Sequence, residues 1–433
     1  MALTFRGGIH PEENKVTKDS PIRAIAARNF VRIPLSQHIG APAVPVVKVG
    51  DRVLRGAVIA EAAEGLSCPI HSSVSGKVLA IERGTTPRGE GVGIVIENDH
   101  MDETDPSLVP WHKPIAQSTP EELIACIKEK GIVGLGGATF PLWAKLNSGR
   151  GKAERLIINV AECEPYLTSN HRLVLEKTRE VVDGVKILLY ILGAEKCIFA
   201  VEDNKEDAAD ALQTVLQGSD HFAVAVLKTK YPQGDERQLI RALLGKEIPK
   251  GKLPADVGAV IINAETCWAV YRAFVEGMPC VERVVTVSGD CVRTPANLLV
   301  PIGMSFGEVL EACGGLACQP EKLISGGPMM GTAQWTADTP VTRGVGGILA
   351  ITAEEKKTGN CIHCGRCVRA CPMHLMPLEF YRAIQGGNLD DAEYYNITSC
   401  SECGSCTFVC PAGIPILQNI RIGKDNLRNR LKK

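Results

Sequence analysis

Two cysteine-rich runs near the C-terminal end have the residue types and spacing to bind iron–sulfur clusters. They read CIHCGRCVRACP (361–372) and CSECGSCTFVCP (400–411), each with the spacing C-x2-C-x2-C-x3-C-P. Three thiolates at this spacing bind one [4Fe–4S] cluster, and the cysteine before proline binds the cluster of the other run. The spacing therefore predicts two clusters, one held by Cys361, Cys364, Cys367 and Cys410 and the other by Cys371, Cys400, Cys403 and Cys406.

Zinc ribbons and disulfides are the alternative interpretation of these runs. Zinc sites use two C-x2-C pairs and need neither a third cysteine nor a Cys-Pro in both halves. The doubled motif therefore favours electron transfer over a structural metal site.

Length and composition indicate the number of domains and the class of protein. A chain of 433 residues with 45% hydrophobic and 22% charged residues predicts three or four globular domains. The net charge of −1 gives no global attraction to nucleic acid, so we expect no nucleic-acid partner. The N-terminus lacks the apolar region of a signal peptide, and no stretch has the roughly 18–20 apolar residues of a spanning helix.

The remaining cysteines are scattered without a repeated spacing, which is typical of free thiols in a reducing compartment. We predict that all of them are small buried side chains with free thiols: Cys68, Cys126, Cys163, Cys197, Cys267, Cys280, Cys291, Cys313 and Cys318.

The first predicted domain spans residues 1–105. Residues 1–30 have no clear period and indicate an irregular lead-in. From residue 31 to about 98, short β-branched runs alternate with Gly-containing turns, which predicts a small β sandwich. This pattern resembles the barrel-sandwich fold of biotinyl and lipoyl carrier domains. Lys77 lacks the Met-Lys-Met setting of a biotinylated lysine, so we expect a structural domain.

A second domain, at 115–280, is predicted as α/β with a mainly parallel sheet, because strands and amphipathic helices alternate. Thr119, Pro120 and Glu122 form the signature of a helix start. The strands are expected at 155–160, 197–202, 222–228 and 257–263, with helices at 171–192, 205–217, 235–244 and 265–276.

Two further domains complete the chain. Residues 281–352 begin with a period-two strand, contain a helix near 305–313 and predict a small β-grasp unit. A charged linker at 354–360 leads into a cluster domain at 353–433, with spacer helices within 374–396. Its basic tail, 421–433, predicts a solvated helical end or a docking segment for a membrane surface or another subunit.

A glycine-rich loop, GIVGLGGATFP (131–141), follows the first helix of the α/β domain. A dinucleotide fingerprint follows a strand, so this loop does not match the ordinary Rossmann pattern. Gly134, Gly136 and Gly137 nevertheless allow a backbone to approach a phosphate or a flat ring closely. The loop indicates either a ligand cradle or a plain turn.

Two asparagines stand where predicted strands end, at Asn159 and Asn263. Ligands of parallel sheets bind beyond the carboxyl ends of the strands, and an amide can pair with the amide edge of a flavin or nicotinamide. A helix N-cap is the alternative role for each asparagine.

These segments together resemble a known family. GLGGATFP, NVAECEP (159–165), YPQGDE (231–236) and INAET (262–266) resemble the NADH- and FMN-binding flavoprotein subunit of respiratory complex I. Leu135 stands where that family has Arg, Thr139 where it has Gly, and Asp235 where it has Glu. The second cluster motif, the N-terminal sandwich, TFRGGIHP (4–11) and PLSQHIGAP (34–42) match the RnfC proteins of Rnf complexes, which are ion-translocating ferredoxin:NAD oxidoreductases.

The resemblance implies roles for particular residues. Gly134, Gly136 and Gly137 would cradle FMN, and Lys145 would neutralise phosphate charge. Asn159, Asn263 and Thr266 would contact the flavin. Glu162 and Glu164 would line the nicotinamide side. The remaining implied residues would flank the same pocket: Gly234, Asp235 and Glu236.

The sequence thus predicts a multidomain α/β and α+β protein that carries electrons between two [4Fe–4S] clusters, FMN and NAD(H). By resemblance, it is a peripheral subunit at the cytoplasmic face of a membrane. Its expected partners are membrane-embedded and iron–sulfur subunits of one complex, with ferredoxin binding directly or through another subunit. The alternatives are a soluble NADH-dependent feeder of another reductase and a non-catalytic electron-relay scaffold.

Overall fold

The computed structural model describes residues 3–352 and 358–431. Residues 354–357 of the predicted linker and the last two residues of the basic tail lie outside the described residues. Within the described ranges, the architecture is mixed α/β, as predicted, with four sheets and a C-terminal helical region.

The N-terminal part contains the predicted sandwich. Its strands are β1 (Ile22–Ala24), β2 (Phe30–Pro34), β3 (Val44–Pro45), β4 (Arg52–Val53), β5 (Val58–Glu61), β6 (Ile70–His71), β7 (Gly76–Thr86) and β8 (Gly89–Asn98). One sheet has the order β2-β8-β7-β4 and the other has the order β3-β5-β6. Side chains that alternate inward along β2, such as Val31 and Ile33, are fully buried in a core that the sandwich shares with residues 280–350.

The second region alternates helices and strands. Its elements are α1 (Pro120–Glu129), α2 (Leu142–Gly149), β9 (Arg155–Asn159), α3 (Ser169–Glu176), α4 (Thr178–Leu192), β10 (Lys196–Glu202), α5 (Glu206–Leu216), β11 (Phe222–Leu227), α6 (Glu236–Leu244), β12 (Ala259–Asn263) and α7 (Ala264–Tyr271). The predicted capping box of α1 is present, with Thr119 accepting from the Glu122 N–H. A single π turn, Arg272–Glu276, follows α7.

The predicted continuous helix over 171–192 is wrong in one respect, because it is interrupted at Lys177. The backbone of Lys177 leaves helical geometry, with φ −127° and ψ 32°, and divides the segment into α3 and α4. The Thr178 hydroxyl donates to the Val174 carbonyl at 2.6 Å across this break. The two shorter helices can therefore pack in different directions.

The sheet of this region is fully parallel and has the order β11-β10-β9-β12. The chain moves outward from β9 to β11 and then returns to the other side of β9 with β12. Strand order therefore reverses between β9 and β12, and such switch points open a crevice at the carboxyl ends of the strands.

The third region contains β13 (Glu282–Ser288), β14 (Ala296–Pro301), α8 (Phe306–Ala312), β15 (Lys322–Ser325), β16 (Thr332–Gln334) and β17 (Gly347–Ile351). Its sheet has the order β1-β14-β13-β17-β15-β16. The prediction of an irregular lead-in over 1–30 is therefore wrong at β1, which pairs in parallel with β14. A three-residue strand has no period to detect, and its partner lies far along the chain.

The cluster region is helical: α9 (Arg366–Ala370), α10 (Pro377–Gln385), α11 (Leu389–Tyr394), α12 (Ser405–Phe408) and α13 (Ile416–Leu431). The predicted spacer helices are α10 and α11. The described part of the basic tail is the end of α13, and it packs back on its own domain. Lys424 pairs with Glu402 at 2.7 Å, and Arg430 pairs with Asp390 at 2.6 Å.

The prediction that all the scattered cysteines are free thiols is wrong for two of them. Cys291 and Cys318 form a disulfide with a Cα–Cα distance of 5.0 Å. The bridge between Val292 and Leu316, with the Ala317 N–H donating to the Cys291 carbonyl, brings the two cysteines side by side. Sequence spacing alone could not show this pairing. The other scattered cysteines are free, and all are buried except the partly exposed Cys163.

Candidate cofactor sites

The two predicted asparagines meet at the switch point of the parallel sheet. Asn159 ends β9, Asn263 ends β12, and the two are register partners in adjacent strands. The Asn159 amide donates to the Gly234 carbonyl at 2.8 Å, and its oxygen accepts from the Ala161 N–H. The Asn263 oxygen caps α7 by accepting from the Glu265 N–H at 3.0 Å. Capping and ligand contact are thus compatible at Asn263, because capping uses only the oxygen of its side chain.

The glycine loop lies against the start of α7, beside Asn263. The Leu135 N–H donates to the buried Thr266 hydroxyl at 2.9 Å, which fixes the loop to that helix. A Cβ added to Gly136 would lie 3.4 Å from the Asn263 Cβ. Gly137 has φ +102°, and a Cβ there would meet no atom within 4 Å. The loop is therefore open at Gly137, which is exposed, and binding of a flat or phosphorylated ligand there stays a prediction.

Thr266 and Lys145 have internal partners at this site. The Thr266 hydroxyl accepts from the loop, so the threonine positions the glycines. The Lys145 ammonium contacts the Glu236 carboxylate at 2.5 Å and donates to the Ile261 carbonyl at 3.0 Å. Its position beside β12 brings a cation to the crevice, while direct contact of either residue with a cofactor stays a prediction.

The carboxylates predicted for the nicotinamide side are also engaged. Glu162 accepts from the Asn170 N–H at 2.8 Å and from the His171 N–H at 3.1 Å, at the start of α3. Asp235 caps α6, and burial raises the pKa of its carboxyl. Contact of these carboxylates with NAD(H) therefore stays a prediction.

Glu164 connects the α/β region to a hairpin of the third region. Its carboxylate accepts from the Met329 N–H at 3.0 Å and from the Met330 N–H at 2.8 Å. Burial raises the pKa of the Glu164 carboxyl to about 7, although both hydrogen bonds oppose this shift. This carboxyl therefore changes protonation in the neutral range.

The eight motif cysteines separate into two cavities according to the predicted cross-pairing. The outer cavity is lined by Cys361, Cys364, Cys367 and Cys410. The inner cavity is lined by Cys371, Cys400, Cys403 and Cys406. The turn after α9 directs Cys371 away from its own run, as expected for the cysteine before proline.

The donor set of each cavity fits an iron–sulfur cluster. Each cavity is lined by four cysteines, which is the ligand set of a [4Fe–4S] cluster. Within residues 3–352 and 358–431, no group of three His, Cys, Asp or Glu side chains is placed to hold one metal ion.

Burial makes the thiols of the inner cavity hard to ionise. Burial raises the pKa of the Cys400 thiol to about 11, and neighbouring Cys403 and Cys371 contribute to this shift. Burial and the nearby thiols raise the pKa of the Cys406 thiol as well. Backbone N–H groups of Leu375 and Glu402 donate to the Cys371 and Cys400 sulfurs at 3.4 and 3.3 Å. Cationic iron would offset the cost of ionising these thiols, and such N–H donors tune cluster potentials.

Sequence reasoning missed one positioning residue of the candidate flavin site, Lys15. Its buried ammonium donates to the carbonyls of Glu162, Glu164 and Leu167 at 2.9, 3.1 and 2.6 Å. Burial lowers the pKa of Lys15. A lone lysine in an irregular segment carries no sequence signal, because its partners lie about 150 residues away.

Comparison with known proteins agrees with this arrangement. Residues 3–101 match the RnfC barrel sandwich hybrid domain, 127–272 the Nuo51 FMN-binding domain, 284–333 the SLBB domain and 360–414 the 4Fe-4S dicluster domain. The chain is 43% identical to the RnfC protein of the Na(+)-translocating ferredoxin:NAD(+) oxidoreductase complex of Acetobacterium woodii, over 97% of this chain and 96% of that protein. This chain belongs to the RnfC family.

Other RnfC relatives show similar agreement. The corresponding protein of the proton-translocating ferredoxin:NAD(+) oxidoreductase complex of Clostridium ljungdahlii is 45% identical, over 87% of this chain and 83% of that protein. The one from the ion-translocating oxidoreductase complex of Rhodobacter capsulatus is 43% identical, over 99% and 84%. The fold is also similar to an NAD+-reducing [NiFe]-hydrogenase chain, with a TM-score of 0.52 at 17% identity over 72% of this chain and 67% of that one. The chain thus carries an FMN-binding domain and a dicluster domain.

Proposed function

We propose that this chain is the NAD(H)-linked electron-transfer subunit of a membrane-bound, ion-translocating ferredoxin:NAD oxidoreductase. The RnfC relatives are named as parts of complexes with that activity. The matched domains are an FMN-binding domain and a 4Fe-4S dicluster domain, which would bind FMN and two [4Fe–4S] clusters. The observation that carries the proposal is that one chain combines a glycine-lined crevice at the switch point with two four-cysteine cavities.

The residues of the crevice would bind and orient FMN and NAD(H), and none of these residues needs to transfer a proton. When bound, FMN exchanges an electron pair with NAD(H) as hydride and single electrons with the clusters. Gly136 and Gly137 admit the ring system, and the amide of Asn263 faces the same space. Lys145 supplies positive charge beside β12, and the phosphate of FMN would replace the Glu236 carboxylate as the partner of this ammonium.

The nicotinamide would approach from the side of Glu162, Glu164 and Asp235. Glu162 and Asp235 accept from backbone N–H groups at the starts of α3 and α6, and Glu164 accepts from the Met329 N–H. Lys15 stabilises the loop after β9 by donating hydrogen bonds to three of its backbone carbonyls. A surface held by these contacts would orient a nicotinamide ring for hydride transfer.

The first experiment is anaerobic purification followed by flavin, iron and sulfide analysis and by reduction with NADH. The proposal predicts one FMN and about eight irons per chain, with bleaching of the flavin by NADH. A preparation with clusters but without flavin or NADH binding would instead support the electron-relay scaffold.

A second experiment separates a component of a membrane complex from a soluble feeder of another reductase. No helix among the described residues is long and apolar enough to cross a membrane. Because the relatives are named as parts of ion-translocating complexes, we place the chain at the cytoplasmic face, bound to membrane-embedded and iron–sulfur subunits. Alkaline or high-salt washing should release it from membranes, and affinity purification in mild detergent should retain those subunits. Recovery without any membrane subunit would support the soluble feeder.

A further inference from the structure

The N-terminal segment 3–18, named here the N-terminal strap, runs along the carboxyl edge of the parallel sheet. Leu3 forms a parallel bridge with Leu227 at the end of β11. Ile9 and Tyr231 exchange two backbone hydrogen bonds of 2.8 and 2.9 Å. Lys15 then reaches the loop that follows Asn159. The strap therefore extends from the end of β11 to the loop after β9, although it is distant from both in sequence.

Two glycines let the strap pass between Tyr231 and the inner cavity. The Gly8 N–H donates to the Ala370 carbonyl at 2.9 Å. A Cβ on Gly7 would lie 2.6 Å from the Cys371 carbonyl oxygen, and a Cβ on Gly8 would lie 2.6 Å from the Tyr231 carbonyl oxygen. Both glycines have positive φ, at +83° and +75°. This close approach explains the paired glycines in TFRGGIHP, for which sequence reasoning gave no role.

Tyr231 connects the same place to the second cysteine run. Its side chain is 1% exposed, and its phenol donates to the Cys403 carbonyl at 2.6 Å. Three residues further on, the Gly234 N–H donates to the Cys163 sulfur and the Gly234 carbonyl accepts from the Asn159 amide. One short segment therefore contacts both the inner cavity and the end of β9.

The outer cavity has a different setting. Cys364 is exposed, and the adjacent Ile362 is 68% exposed. The strap contacts described above go to Ala370 and Cys371, beside the inner cavity. The inner cavity is therefore connected to the crevice, whereas the outer cavity faces outward.

We propose that Gly7, Gly8 and Tyr231 form a clamp that fixes the inner cavity against the flavin crevice. The cluster of the inner cavity is then the direct electron partner of the flavin, and the cluster of the outer cavity exchanges electrons with a partner protein. This inference rests on the proposed function. Tyr231 is a positioning residue, because it acts through the loop that carries Cys403. Electron tunnelling falls steeply with distance, so a small shift of this loop changes the transfer rate.

The test compares Tyr231→Phe with a matched control, Tyr381→Phe, which removes a phenol from the lining of the outer cavity. Both variants are purified anaerobically, and each cluster is followed by electron paramagnetic resonance during redox titration. Cys371→Ala identifies the signal of the inner cavity. Stopped-flow absorbance then gives the rate at which clusters oxidise the NADH-reduced flavin.

In Tyr231→Phe we expect the signal and midpoint potential of the inner cluster alone to shift, with a tenfold or greater loss of flavin-to-cluster rate. Flavin and iron contents should stay at wild-type values. These contents therefore distinguish a shifted loop from a collapsed structure. Tyr381→Phe should leave the inner signal and that rate unchanged. Unaltered inner signal and rate in Tyr231→Phe would overturn the clamp, as would the same loss of rate in Tyr381→Phe.

A second pair of variants tests the strap itself. Gly8→Ala adds a Cβ against the Tyr231 carbonyl, whereas Gly50→Ala adds one at a comparable positive φ with no atom within 4 Å. Only Gly8→Ala should shift the inner signal, and equal effects of both variants would contradict the clamp. If the wild-type protein lacks flavin or clusters, the proposed function fails; if it contains them and both clamp variants behave as wild type, only the clamp fails.

Discussion

At the scale of single residues, polar groups that are predicted to contact the flavin already have structural roles. Asn263 caps α7 with its oxygen, and Thr266 holds the glycine loop with its hydroxyl. The sequence could predict which residues gather at the crevice, since strand ends and glycines are visible in it. It could not predict Lys15 or the clamp glycines, because their partners are backbone atoms of remote segments.

Gly136→Val tests the cradle. An added Cβ reaches ordinary contact distance from Asn263, and the two further methyl groups of valine would occupy the space where the ring would lie. We expect loss of bound flavin with about eight irons per chain retained, measured by flavin fluorescence and iron analysis. Gly307→Val is the control, because its Cβ also meets only ordinary contacts, in α8 of the third region. Full flavin occupancy in Gly136→Val would exclude this cradle.

Glu164 predicts a pH dependence of stability. Its folded pKa of about 7 lies above the ordinary value of 4.5, so the folded protein binds more protons than the unfolded chain between these values. Stability therefore falls as pH rises through this window, by on the order of 3 kcal/mol at most. Between pH 5.5 and 8, the thermal unfolding temperature of the wild type should fall relative to that of Glu164→Gln. Parallel curves for the two proteins would show that the carboxyl is already ionised at pH 5.5.

At the scale of elements, the crevice depends on how closely α4 and α7 pack. Gly184 of α4 lies so near α7 that an added Cβ would overlap the Cys267 carbonyl oxygen. Asn263 and Thr266 stand at the start of α7, so the spacing of the two helices sets the position of the glycine loop. Periodicity predicts both helices, but it gives no signal that their backbones approach this closely.

Gly184→Ala should therefore impair the flavin site from a distance. Alanine favours a helix by up to about 1 kcal/mol over glycine, but the clash with the α7 backbone should cost about 2 kcal/mol or more. We expect a lower unfolding temperature and faster flavin release, measured by scanning calorimetry and fluorescence. Lys186→Ala, on the exposed side of the same helix, is the control. Wild-type flavin release in Gly184→Ala would show that α7 does not position the cradle.

At the scale of the whole molecule, the order of regions was predictable because each has its own pattern: alternation in the sandwich, helix–strand alternation in the α/β region, and the cysteine motif. Their mutual contacts were not. Strand β1 completes the sheet of the third region, the strap joins the α/β region to the cluster region, and Cys291 pairs with Cys318. Each of these contacts joins segments that no local period relates, so only the folded chain shows them. The predicted domain boundaries themselves stay predictions.

Exchange of cysteines between the two cluster-binding runs is the central claim, and Cys371→Ala tests it most directly. Cys371 belongs to the first run by sequence but lines the cavity of Cys400, Cys403 and Cys406. Electron paramagnetic resonance of the anaerobically purified variant should show one altered cluster, converted to a three-iron form, and one unaltered cluster.

The reciprocal variant, Cys410→Ala, should alter the other cluster, and Cys361→Ala should give the same spectrum as Cys410→Ala because both cysteines line the outer cavity. Reduction of the flavin by NADH should survive in every variant, since it needs only the α/β region. Alteration of the same cluster by Cys371→Ala and Cys361→Ala would contradict the exchange, because each run would then hold a cluster of its own.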